Sequence, residues 1–111
     1  MSNKVLRKLD YWQSILGLSE YRVIVSRVSP LQITHHDEKT GGDFIGVVLD
    51  EKSREIWIIT TRSLQEEDIV HELLHIREPK MDHGEVVLET ESLIFSRNQM
   101  HLEFLSLQKE R

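Results

Sequence analysis

Glu55-Ile56-Trp57-Ile58-Ile59-Thr60 runs within a few residues into Ser63-Leu64-Gln65-Glu66 and then into Ile69-Val70-His71-Glu72-Leu73-Leu74-His75-Ile76-Arg77. The first run is β-branched and aromatic, as a strand requires. The last has apolar residues at helical spacing. Between them Ser63 and Glu66 have the capping-box spacing, in which each side chain satisfies a backbone N–H of the other, so a helix is expected from about residue 64. It should stop near Arg77, because Pro79 cannot continue it. Upstream, Asp43 to Leu49 reads as another strand, and the polar turn Asp50-Glu51-Lys52-Ser53-Arg54 joins the two as an antiparallel hairpin. A further strand is expected over Tyr21–Val28, ended by Pro30, and the polar stretch 30–43 with Gly41-Gly42 reads as a loop. Val5, Leu6, Leu9, Trp12, Ile15 and Leu16 mark an amphipathic N-terminal helix over residues 4–16, closing near Gly17. Beyond Pro79, Asp82-His83-Gly84-Glu85 looks like a helix start, with a helix over Val86–Arg97 and a helix-prone apolar tail from Asn98 to Arg111. Trp12 and Trp57 both sit at core spacing. The order helix, strand, hairpin, helix, helix predicts an α+β fold, with helices against a three-stranded sheet.

The chain has 111 residues, 39% of them hydrophobic and 30% charged, enough for one domain spanning 1–111 and too little for two independent cores. No apolar run approaches the ~20 residues of a membrane helix, and Met1 to Lys8 contains no apolar leader segment. The absence of cysteine excludes disulfides, thiolate metal ligands and a cysteine nucleophile. A net charge of -5, with basic residues scattered among acidic ones, lacks the footprint that nucleic-acid binding uses. A soluble, cytoplasmic protein with neither membrane nor nucleic-acid partner is the expectation.

Chemistry concentrates in His71-Glu72-Leu73-Leu74-His75, an HExxH pattern. Residues i and i+4 lie one turn apart on a single helix face, so both imidazoles can reach one ion. Glu72 then stands where its carboxylate reaches a water on that ion, as a general base. A hydrolytic zinc site needs a third protein ligand. His83, Glu85, Glu89 and Glu91 are the candidates. Advancing ~100° per residue from Val86, the apolar residues 86–88 and 93–95 average near ~90°, which puts Glu91 (~140°) among them and Glu89 (~300°) and Glu85 (~260°) away from them. A carboxylate among core residues needs a partner, either the metal or a cation such as Arg22 or Arg97. Glu91 is therefore the expected third ligand. His83, eight residues beyond His75, is the rival, able to swing in from the loop or simply to begin the helix.

HELLH followed by a short reversal and a helix carrying Glu89-Thr90-Glu91-Ser92-Leu93-Ile94-Phe95 resembles the gluzincin zinc metallopeptidases, most of all the minigluzincins. Phe95 and Leu93 stand where many gluzincins have Asp or Asn, four residues past the ligand glutamate. A third histidine, as His83 would supply, is the pattern of SprT-like and YgjP-like metallopeptidases. The resemblance implies a minimal zincin-like domain with one Zn2+ on His71, His75 and Glu91, and Glu72 as catalytic base. It implies peptide-bond hydrolysis of an extended substrate lying along an edge strand, for which Phe44–Val48 is the candidate. It also implies a latent form, in which a tail such as residues 99–111 blocks the cleft within a monomer or across a homodimer.

Other features have ordinary alternatives. Arg97, His101, Tyr11 and Tyr21 could each serve as transition-state stabiliser, although a structural or simply exposed role is the plainer reading for each. His35-His36-Asp37-Glu38 offers metal-ligating types on a loop, where solvated side chains are the plainer reading. The rival function is a non-catalytic or regulatory metal-binding protein on the same scaffold.

Overall fold

The computed structural model describes residues 3–32 and 43–109, with side chains over 3–31 and 43–103. Helix α1 (Asn3–Ile15) is followed by β1 (Arg22–Arg27), a 3-10 turn at Pro30–Gln32, strands β2 (Ile45–Asp50) and β3 (Glu55–Thr60), and helices α2 (Glu66–Arg77) and α3 (His83–Lys109). The three-stranded sheet has the order β1-β3-β2, with β3 parallel to β1 and antiparallel to β2. The architecture is α+β, as expected. Gly41-Gly42 and His35-His36-Asp37-Glu38 lie outside the described residues.

Gly17 ends α1 in the left-handed conformation, φ 71°, which a side chain would strain. The N–H of Leu18 reaches back to the Gln13 carbonyl and that of Gly17 to Ser14, the paired bonds of a Schellman termination. Gln13 Nε2 then donates to the carbonyls of Leu18 and Tyr21, fixing the approach to β1.

β3 is central, so its alternation sorts the core. Ile56, Ile58 and Thr60 point inward and are 0–1% exposed, while Trp57 stands on the other face at 36%. Trp57 is therefore not core. Its cross-strand neighbours are Ile24 on β1 and Val48 on β2, and Val48 is itself exposed. Four consecutive apolar residues, Ile56 to Ile59, cannot reveal which face is covered. The core gathers Leu9, Trp12, Leu16 and Leu18 with Ile56, Ile58, Ile69, Val70, Leu73, Leu74 and Val86.

Two helix boundaries differ from expectation. α2 starts at Glu66, with Gln65 as its cap: Asp68 accepts the Gln65 N–H at 2.7 Å and is gripped by Arg62 through two bonds of 2.8 and 2.9 Å. The Ser63 hydroxyl instead accepts from Arg27. Glu66, released from capping, accepts from Trp12 Nε1 at 2.9 Å and pairs with Arg97, tying α1, α2 and α3 together. The second difference is continuity. Asp82 caps α3 as expected, its carboxylate accepting the Glu85 N–H at 2.8 Å. The helix then runs unbroken through the predicted boundary at Arg97-Asn98, where there is neither Pro nor Gly to stop it. Residues 99–109 thus continue α3. Among the described residues, no helix is long and apolar enough to cross a membrane.

Candidate metal centre

α2 packs its buried side, Ile69, Val70, Leu73 and Leu74, into the core and turns His71 and His75 to its rim. One helical turn separates the two rings. Their Nε2 atoms stand 3.1 Å apart. The chain then reverses through Glu78–Asp82, with Met81 N–H bonded to the Glu78 carbonyl, and delivers His83 on the first turn of α3. The ring centre of His83 lies 4.8 Å from that of His71 and 6.0 Å from that of His75. One ligand atom from each histidine falls within 4.8 Å of the others.

Three histidines so close can hold a metal ion. A tetrahedral ion with bonds of ~2.0–2.1 Å separates its nitrogen ligands by ~3.3 Å. The His71–His75 pair already meets that spacing, and His83, exposed at the helix start, brings a ligand atom within 4.8 Å of both. Burial depresses the His71 pKa, and the neighbouring His75 and His83 add to the effect. That favours the neutral imidazole, the form that binds metal.

Glu72 occupies a different environment. It is 6% exposed, and desolvation, with a smaller push from Asp68, raises its pKa to about 7. It opens onto a cleft of about 330 Å³ bordered by Ile45 of β2, Glu67, Asp68 and His71 of α2, and Val87, Thr90 and Glu91 of α3. A carboxyl that holds or releases its proton near neutral pH therefore faces the same space as one histidine of the triad.

Glu85 and Glu89 of α3 are exposed, as their calculated phase put them, but Glu91 does not stand where its phase put it. Glu91 is exposed, lining the cleft beside His71 and Glu72 but standing apart from the three-histidine group. It is not a buried carboxylate, and the expected partners are engaged elsewhere: Arg97 with Glu66, and Arg22 with Glu55. Glu89 lies toward Leu74, Arg77 and Met81, away from the cleft. The inward stripe of α3 is Val86 and Thr90, which are buried, with half-buried Leu93, Ile94 and Arg97, whereas Val87, Leu88 and Phe95 are exposed. Those three outward residues pulled the average apolar direction away from the core. Recentred on the observed stripe, the same ~100° step sets His83 at ~60°, between Thr90 (~40°) and Ile94 (~80°). Helical phase therefore directs His83 toward the side of the body, although at the helix start it is still exposed.

Thr90 was not singled out from the sequence. It is 4% exposed, and its hydroxyl has no hydrogen-bond partner among the described residues although it borders the cleft. A threonine in an i, i+4 relation to Val86 is the only signal that could have found it. The other candidates have structural settings: Tyr11 edges onto Trp12 with ring centres 5.0 Å apart, the Tyr21 carbonyl accepts from Gln13, and His101 is exposed far along α3. Comparison with protein-family models, curated proteins and solved structures finds no match to this chain.

Proposed function

We propose that this protein is a metal-dependent hydrolase of peptide bonds, with one zinc ion held by His71, His75 and His83 and with Glu72 as general base and acid. One observation carries the reading: three imidazoles converge from two helices while the acid between the first two faces the adjoining cleft with its pKa raised to about 7. His83 replaces Glu91 as third ligand because it belongs to the histidine group and Glu91 does not. Glu91 is then a carboxylate on the cleft wall, positioned to meet substrate. Bound zinc would supply Lewis acidity at this point, polarising a carbonyl and acidifying water.

The chain's own groups do the rest. Burial lets Glu72 accept a proton near neutral pH and return it to a leaving amine, which a fully solvated carboxylate near pKa 4.5 does less well. Among the described residues β2 is an edge strand, and its first residue, Ile45, borders the cleft. An unpaired edge hydrogen-bonds an extended peptide backbone, which supports a peptide substrate over a compact small molecule.

The test is a pair of variants in protein purified without a histidine tag. Glu72→Gln should keep about one metal per chain by elemental analysis and lose at least ~100-fold in peptidase rate. His75→Ala should lose the metal as well. Wild-type protein that binds metal yet shows no Glu72-dependent turnover across a broad peptide set would instead favour a regulatory metal-binding role.

A further inference from the structure

The cleft beside the histidines is lined by one sign of charge. No lysine or arginine borders it, although 14 of the 111 residues are basic. Glu67 of α2 and Glu91 of α3 stand on it from two different helices. Both are exposed, and neither has an ion-pair partner among the described residues. The other two carboxylates of the wall are committed. Asp68 is held by Arg62 through two hydrogen bonds, and Glu72 is withdrawn into the protein. Ile45 and Val87 supply the apolar part of the lining.

A buried polar group of the same wall also lacks a partner. Thr90 is 4% exposed, and its hydroxyl is hydrogen-bonded to nothing among the described residues. A buried hydroxyl left unpaired is costly, and it asks for a group that pairs with it in another state of the protein. The space that Thr90 borders is the cleft, so a ligand there is the available partner.

We propose that this cleft selects a basic side chain, lysine or arginine, on the substrate residue beside the bond that is cut, with Glu67 and Glu91 as specificity-determining residues and Thr90 as a further acceptor. The inference rests on the peptidase reading of the site. His71 and Glu72 border the same space, so a side chain lodged in it belongs to a residue next to the reacting bond. Lysine and arginine combine an aliphatic stem with a charged end, which matches Ile45 and Val87 followed by two unpaired carboxylates. Their charged ends only donate hydrogen bonds, and the wall offers acceptors with no cation competing for them. An acidic side chain would meet two like charges instead. A cleft of one sign also draws oppositely charged peptides in from solution. Because Glu67 and Glu91 are exposed, each pair contributes modestly, and the two together set a preference on the order of 10-fold.

Digestion of a mixed peptide library by the zinc-loaded protein, read by mass spectrometry, should enrich lysine and arginine about 10-fold at one position flanking the cut bonds. Matched peptides carrying lysine, norleucine (the same stem without the charge) or glutamate at that position then give kcat/KM. Lysine should exceed norleucine by about 10-fold at low salt, and glutamate should be slowest. The lysine-to-norleucine ratio should fall to within ~3-fold in ~1 M salt, and likewise when Glu67→Gln is combined with Glu91→Gln. Thr90→Val should lower the ratio by about 2-fold, the size of one lost neutral acceptor. Glu72-dependent cleavage with no basic preference, or a preference that survives the double substitution, would overturn this proposal and leave the peptidase reading standing. Absence of any Glu72-dependent cleavage would sink the peptidase reading, and fluorescence anisotropy of the same labelled peptides then decides for the cleft. Lysine-selective binding that the double substitution abolishes would uphold the basic-side-chain site, whereas equal or absent binding would overturn it.

Discussion

The two helices that carry the histidines differ in how they meet the rest of the molecule. α2 is packed along most of its length, and five of its twelve residues are buried, Glu72 among them. α3 touches the body along one stripe from Val86 to Arg97 and leaves residues 98–103 exposed. On a helix enclosed by sheet and neighbours, apolar character and burial coincide. On a helix that leans against a small body with one edge, half of the apolar residues point outward, and averaging over them misplaces the core face. Phase analysis is thus only as sound as the assumption that a helix has a single apolar face.

Substitution at matched residues tests that contrast most strongly. Leu73→Ala on α2, which is fully buried, should destabilise the fold by about 3 kcal/mol, within the usual ~2–5 kcal/mol for a core leucine. Leu88→Ala on α3, 68% exposed, should stay within ~0.5 kcal/mol in dilute protein. Chemical denaturation of both variants reads the difference. Equal effects would mean that the outer stripe of α3 is covered.

At the candidate metal centre the same contrast becomes a choice of ligand for the proposed ion. His83→Ala should weaken zinc binding about 100-fold, with one of three ligands gone, whereas Glu91→Ala should change it by less than ~3-fold, as expected for a group outside the coordinating set. Competition with a chelating dye measures both. The reverse ranking would restore Glu91 as the third ligand. A smaller effect is expected at Thr90, whose buried hydroxyl has no partner among the described residues. Thr90→Val keeps the shape, removes an unsatisfied group and should raise stability by about 1 kcal/mol, seen as a higher denaturation midpoint.

The last prediction concerns pH and metal-free protein. Glu72 has a folded pKa raised to about 7 from an ordinary 4.5, so between those values the folded state holds a proton that the unfolded chain has released. Its contribution to stability is fully present below pH 4.5 and is lost as pH rises through 7. His71, with its pKa lowered, acts in the opposite direction, favouring the fold as pH rises through its ordinary value of 6.5. Glu72→Gln should remove only the first contribution. The difference in stability between variant and wild type should therefore grow in the variant's favour from pH 5 to pH 8, as measured by urea titration. A difference independent of pH would mean that Glu72 is solvated.

Much was legible in the chain itself, for local reasons. The hairpin followed from two β-rich runs around a five-residue polar turn, and the end of α1 from Gly17. Pro79 bounded α2, and the i, i+4 spacing put His71 and His75 on one face whatever surrounded them. Other features needed contacts between distant residues. Nothing near Trp57 says which face of the sheet the helices cover. The competition of Ser63, Gln65, Glu66 and Asp68 for one helix start was settled by Arg62 binding Asp68 and by Trp12 and Arg97 claiming Glu66.

By itself the sequence determined the elements, their order and the paired imidazoles, because backbone preference and helical spacing act within a few residues. Only the tertiary structure decided that His83 joins them, that Glu72 is buried enough to hold its proton near neutrality, and that α3 turns Leu88, Phe95 and Leu102 to solvent. Each depends on how far one helix rolls against the next, and that roll is set by packing across the whole body.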